Sequence, residues 1–175
     1  MNMAEIYLKS GREKSVLFHH PWIFSGAIDR VVGNPGLGDT VDILGHDRNW
    51  LARGAFSPQS QIRTRIWTWN EDEQIDTSFF LHRIQKAFAM REAIHSQTNS
   101  FRLVHGESDG LPGVIIDKYS DNLVFQILSA GAEKWRDIII ELSREMTRAK
   151  AGYERSDVEV RRMEGLDERS GSIFG

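Results

Sequence analysis

At 175 residues, 40% of them hydrophobic with five Trp and nine Phe, the chain can bury one large core or two small ones, and 27% charge is ordinary for a globular protein. The absence of cysteine excludes disulfides, thiolate metal sites and a cysteine nucleophile within these residues, and fits a cytoplasmic location. Apolar runs such as Ile138-Ile139-Ile140 are too short for a signal peptide or a bilayer span, so no membrane partner is expected.

Charge divides unevenly. Residues 1–69 carry eight Lys/Arg against six Asp/Glu, and residues 70–175 carry fourteen against nineteen. The net charge of −3 therefore hides a mildly basic first part, the better candidate to face a polyanion.

In chain order, Ile6 to Leu8, Ile28 to Val32, Thr40 to Leu44, Trp50 to Phe56 and Gln61 to Trp69 are short β-prone runs. Turn residues separate them at Asn34-Pro35-Gly36, Gly45 to Asn49 and Ser57-Pro58. A short helix is expected from Gly11 to His19. The alternation in the last run puts Arg63 and Arg65 on one strand face. Over residues 4–69 this pattern predicts a compact barrel-like β domain.

The acidic stretch Asn70 to Asp76 reads as a linker, after which the hydrophobic period changes from 2 to about 3.6. Asp76 or Thr77 can cap a helix running to about Ser96, with Phe80, Ile84, Ala87, Phe88 and Ile94 as its apolar stripe. Strand-like segments follow at Phe101 to Glu107, Gly113 to Tyr119 and Asn122 to Leu128, the last two forming a hairpin. A second helix spans about Ala132 to Lys150, lined by Trp135, Ile138, Ile139, Leu142 and Met146. Gly152 to Arg155 is a further strand, and the glycine-spaced end from Arg161 to Gly175 reads as the approach to another, as though the natural chain continues. The part after the linker thus reads as α+β, with helices packed on a small antiparallel sheet.

Several motifs bear on chemistry. Gly33 to Gly38 superficially resembles a dinucleotide loop, but a strand follows instead of a helix, so a β-turn is expected. The six histidines, His19, His20, His46, His82, His95 and His105, have no metal-ligand spacing. In His20-Pro21-Trp22-Ile23-Phe24-Ser25-Gly26, Trp22 and Phe24 are expected to fill the barrel core while His20 and Ser25 face a partner. Arg63 and Arg65 have planar forks suited to phosphate oxygens. The loop Glu107-Ser108-Asp109-Gly110-Leu111-Pro112-Gly113 is rigid and acidic, the kind that positions something. The dense charges of Tyr153 to Asp157 and Arg161 to Leu166 read as a surface ion-pair cluster.

The succession Leu8-Lys9-Ser10-Gly11-Arg12, His20 to Gly26, Ser60-Gln61-Ile62-Arg63, Glu107 to Gly113, Tyr153 to Asp157 and Glu164-Gly165-Leu166 resembles the bacterial 23S rRNA cytosine-C5 methyltransferases that carry an N-terminal PUA domain. The resemblance implies a PUA-like RNA-binding domain at residues 3–72 and a central α+β domain at 76–175. It also implies a C-terminal Rossmann-like domain that binds S-adenosylmethionine, which matches no run of this sequence.

For the residues present, the resemblance implies RNA contacts from Lys9, Gly11, Arg12, His20, Ser25, Arg63 and Arg65. It implies a target-pocket or domain-facing loop at Asp109, Gly110, Leu111, Pro112 and Gly113, with Arg155 steadying that loop or contacting RNA. Enzymes of this kind activate cytosine C5 by adding a thiolate to C6. With no cysteine and no cofactor motif, these residues alone are expected to be inactive, to hold no cofactor or metal and to supply no catalytic residue. The expected partners are ribosomal RNA and the methyltransferase domain. A stand-alone RNA-binding adaptor and a protein-interaction module are the alternatives.

Overall fold

The computed structural model describes residues 3–175, except the side chains of Ile94 and His95; the places expected for those two in the helical stripe and among the histidines lie outside the described residues. Six strands make the first sheet: β1 (Ala4–Leu8), β2 (Trp22–Phe24), β3 (Ile28–Val32), β4 (Thr40–Leu44), β5 (Trp50–Phe56) and β6 (Ile62–Thr68), in spatial order β2-β6-β5-β4-β1-β3. Neighbours are antiparallel except β1 and β4, which run parallel. Alternate residues turn inward, so Ile6, Leu8, Ile23, Val41, Ile43 and Ile66 form one core. The helix expected from Gly11 to His19 is a single turn, α1 (Lys14–Leu17), because Gly11 and His19 both adopt left-handed backbone angles that end it.

The strand β2 was not expected, and it corrects the aromatic assignment. Ile23 enters the core, so period-two alternation turns Trp22 and Phe24 to the opposite face, where Phe24 is 49% exposed.

The second unit begins at α2 (Thr77–Met90). The Asp76 carboxylate accepts the Phe79 amide at 2.9 Å, and Phe79, Phe80, Ile84 and Ala87 face inward. The long helix expected here stops at Arg91 and resumes as α3 (Glu92–His95). The Arg91 guanidinium folds back to the carbonyls of Ala87 and Arg102, so the residue serves as a tie point. Next come β7 (Ser100–His105), β8 (Val114–Tyr119) and β9 (Asn122–Ile127), then α4 (Ala130–Lys134) and α5 (Arg136–Thr147). The second expected helix is thus also broken, at Trp135, whose ring packs 4.8 Å from Phe80. The chain closes with β10 (Ala151–Ser156), α6 (Glu159–Met163) and β11 (Arg169–Phe174).

The order in this sheet is β11-β10-β9-β8-β7, antiparallel except for β9 and β10, which are parallel and joined through α4 and α5. Val114, Ile116, Leu123, Phe125 and Ile127 point toward α2 and α5 and build the core with them.

The two sheets share packing. Ala55 and Trp67 belong to the first sheet by sequence, yet they lie in the second core, where Trp67 meets Phe79 and Phe80 edge to face. A Cβ on Gly131 would stand 2.2 Å from that of Ala55, so only glycine lets α4 come this close to β5.

The charge-dense segment from Tyr153 to Leu166 is not the surface cluster expected. Glu154, Ser156, Arg161 and Glu164 are all buried, with Arg161 only 1% exposed. Arg161 pairs with Glu133 at 2.8 Å and donates to the carbonyl of Asp167, while Glu154 holds Arg136 and accepts from Ser156. The mixed signs have found one another inside, where each charge must be paired.

Candidate nucleic-acid interface

The turn after β1 and the strand β2 meet. Lys9 donates from its amide to Ala27 O at 2.9 Å and from Nζ to Gly26 O at 3.0 Å, which ties the basic turn to the Ser25-Gly26 segment. Ser25 is fixed in turn, its amide and hydroxyl both donating to Gln61. Between α1 and β2 lies a cleft of about 250 Å³, and Arg12, Ser15, Trp22, Phe24 and Gly26 are on its wall. Gly11 has φ +79° with open space around its Cα, so it bends the chain without touching a neighbour. His20 sits edge-on to Trp22, its Nδ1 accepting the Trp22 amide at 3.2 Å.

Arg12 and the Ser25-Gly26 segment that Lys9 ties down thus meet at this cleft, and His20 joins them through Trp22, whereas Gly11 lines a neighbouring cleft with His46 and Asp47. Lys9, Arg12 and the exposed Phe24 give the rim of this cleft cations beside an aromatic face, the combination that holds phosphates and unstacked bases.

The arginine pair separates. Arg65 and Trp67 lie on the face of β6 that the second unit covers, but the pairing with β2 slips at Arg63, which does not share that contact. Arg63 stays half-buried, donating to the Pro58 carbonyl. Arg65 is 7% exposed, with Nη2 2.9 Å from Glu164 and Nη1 3.5 Å from Glu107. It also lies over the Trp22 ring, whose Nε1 donates to Glu107 at 2.8 Å. Arg65 is thus a strut between the units rather than a group at the surface. Its partner Glu164 lies 99 residues away, too far for any local pattern to signal.

The Glu107 to Gly113 loop is rigid, as its composition suggests. Asp109 takes the Arg91 guanidinium through both oxygens, at 3.0 and 2.7 Å, and also accepts the His105 amide. Gly110 and Gly113 have φ of +70° and +78°, and a Cβ on Gly113 would lie 2.4 Å from Ser129 Oγ. Leu111 and Pro112 are buried, so the loop presents mainly Ser108 to solvent. The Asp109 carboxylate is committed to Arg91 and the His105 amide. Arg155 lies on the exposed side of β10 and makes no hydrogen bond or ion pair to this loop among the described residues.

S-adenosylmethionine, implied by the resemblance, would need a strand-to-helix turn with free amides and room beside its glycines. The parallel crossover from β9 into α4 is the turn of that kind in the second sheet. There the Ala130 amide already donates to Glu164 Oε2 at 3.2 Å, and Gly131 is packed against Ala55 and Trp67. These residues do not fit the cofactor.

Comparison with known proteins agrees with the architecture. Residues 6–69 match the model of the PUA-like domain. The chain is 54% identical over 172 residues to ribosomal RNA large subunit methyltransferase I of Tolumonas auensis, covering 97% of this chain and 43% of that protein. It is 51% identical over 174 residues to the protein of the same name from Vibrio vulnificus strain CMCP6, covering 98% and 44%. The chain thus spans less than half the length of the curated relatives it matches.

Among solved structures, a Streptococcus mutans protein described as a SAM-dependent methyltransferase superposes with a TM-score of 0.78 at 18% identity, over 98% of this chain and 43% of that one. A methyltransferase complexed with S-adenosylhomocysteine gives 0.75 at 18% identity, over 86% and 40%. At that identity the likeness speaks for the fold. Residues 6–69 are therefore similar to the PUA-like domain, and the second sheet with its helices packs directly against them.

Proposed function

We propose that this chain is the RNA-recognition part of an S-adenosylmethionine-dependent methyltransferase acting on cytosine C5 of large-subunit ribosomal RNA. It would hold the RNA while a domain outside these residues binds the methyl donor and supplies the thiolate that adds to C6. The observation that carries the reading is the rim where Lys9, Arg12 and His20 stand beside Trp22 and Phe24. The similarity to ribosomal RNA methyltransferases along nearly the whole chain supports the substrate class.

In this reading Lys9 and Arg12 neutralise phosphates, and Gly11 and Ser25 let the backbone approach the RNA. Arg63 contributes from the border of the same face, whereas Arg65 holds the PUA-like domain against the α+β domain. The Asp109 to Gly113 loop would face the methyltransferase domain and shape the target pocket by its fixed backbone.

The test is fluorescence anisotropy with a labelled ribosomal RNA hairpin across a salt series. Affinity should fall steeply as salt rises, and Lys9→Ala with Arg12→Ala should reduce the log–log slope by about 2, one for each lost phosphate contact. An unchanged affinity and slope in that variant would overturn the assignment of this rim.

A further inference from the structure

The helices α2 and α5 cover one face of the second sheet; the other is open. Because strand residues alternate, the strands place Arg102, Ile115, Asp117, Tyr119, Val124, Gln126, Tyr153 and Arg155 on this open side, opposite the core positions Ile116, Leu123 and Phe125. The registers align these residues across strands. Arg102 faces Asp117, Asp117 faces Val124, and Val124 faces Tyr153, while Tyr119 closes the neighbouring row opposite Asn122.

Tyr119 is 51% exposed and Tyr153 is 45% exposed. From strand spacing and rise, the two rings spring from points about 12 Å apart, enough for two bases but not for one. Two arginines accompany them. Arg102 is fixed by Asp117 through two hydrogen bonds at 2.8 and 3.1 Å. Arg155 has no carboxylate partner among the described residues, so it leaves this face one uncompensated positive charge.

We infer that this open face is a second RNA-binding surface, a stacking platform for a single-stranded segment with Tyr119 and Tyr153 each under its own base and Arg155 on a phosphate. Exposed aromatics on an uncovered antiparallel sheet flanked by guanidiniums are the chemistry that single-stranded nucleic acid recognises, since every base offers a π-face. The unpaired cation favours a polyanion over a protein as the occupant. The inference rests on the RNA reading above, and it adds a place for unpaired nucleotides beside the rim on the PUA-like domain.

Two probes separate the surfaces: a 12-nucleotide oligouridine, which has no duplex, and the ribosomal RNA hairpin. Tyr119→Ala with Tyr153→Ala should weaken oligouridine binding at least tenfold and leave hairpin binding within twofold, whereas the Phe pair should bind nearly as the unaltered protein does. Lys9→Ala with Arg12→Ala should do the reverse. Circular dichroism of the alanine pair guards against misfolding, and if it does not fold, Arg155→Glu serves instead, with the same selective loss expected.

Oligouridine binding unchanged in the folded tyrosine variant would overturn this inference and leave the rim assignment standing. Self-association that depends on Tyr119 and Tyr153, without oligouridine binding, would give the face to a protein contact and equally overturn it.

Discussion

Replacing Glu164 by alanine removes the acceptor on which three parts of the molecule converge. The carboxylate is 1% exposed; one oxygen pairs with Arg65 at 2.9 Å and the other accepts the Ala130 amide at 3.2 Å. Without it, Arg65 keeps the face of Trp22 and, as its remaining carboxylate, the more distant Glu107 at 3.5 Å, and its buried Nε already lacks a hydrogen-bond acceptor. Leaving a desolvated guanidinium so poorly compensated should cost about 3–5 kcal/mol. For a chain of this size that lowers Tm by about 6–20 °C.

The assay is urea unfolding followed by tryptophan fluorescence, since Trp22 and Trp67 both lie where the domains meet. Arg65→Met combined with Glu164→Leu should restore most of the loss, because removing both charges leaves neither one stranded. A loss below about 1 kcal/mol in Glu164→Ala, or a double variant as unstable as the sum of the singles, would refute the idea that this ion pair ties the domains.

Glycine replacements should separate strain from crowding. Gly113→Ala meets both an unfavourable φ and the Ser129 hydroxyl, and should cost more than about 2 kcal/mol; Gly11→Ala meets only the φ and should cost about 1 kcal/mol, both read by urea denaturation. The Asp39 carboxyl is held below its ordinary 3.8 chiefly by its hydrogen bond to Lys134, then by the Gly36 amide. A depressed carboxyl pKa gives stability that is fully present above 3.8 and lost as pH falls through the folded value, so Lys134→Ala should reduce acid sensitivity below about pH 4 in a Tm-versus-pH series. Both partners are partly exposed, so the difference should stay under about 1 kcal/mol.

The elements most legible in the sequence were those set by local chemistry. Thr40 to Leu44 and Trp50 to Phe56 are bounded by turn residues, and the 114–127 hairpin is announced by Ser120-Asp121, where Ser120 adopts φ +53°. The breaks at Arg91 and Trp135 were not legible, because apolar periodicity continues across each and what interrupts the helix is a tertiary contact. Nor was α6, whose five residues are mostly charged. Within the candidate site, alternation put Arg63 and Arg65 on one face, but the register slips at Arg63. It carried no information about what covers that face, and Glu164 is drawn from a segment whose charges look solvated until the fold encloses them.

The placement of Trp67 bears on how the polypeptide is made. The first sheet has its full hydrogen-bonding complement once Thr68 has been added, yet the indole of Trp67 has no cover until Phe79, Phe80 and then Gly131 emerge behind it. Arg65 waits longer still, until residue 164 is synthesised. A nascent chain paused before residue 79 carries a finished sheet with an uncovered aromatic and a cation that has met neither Glu107 nor Glu164, which is the kind of surface that chaperones capture.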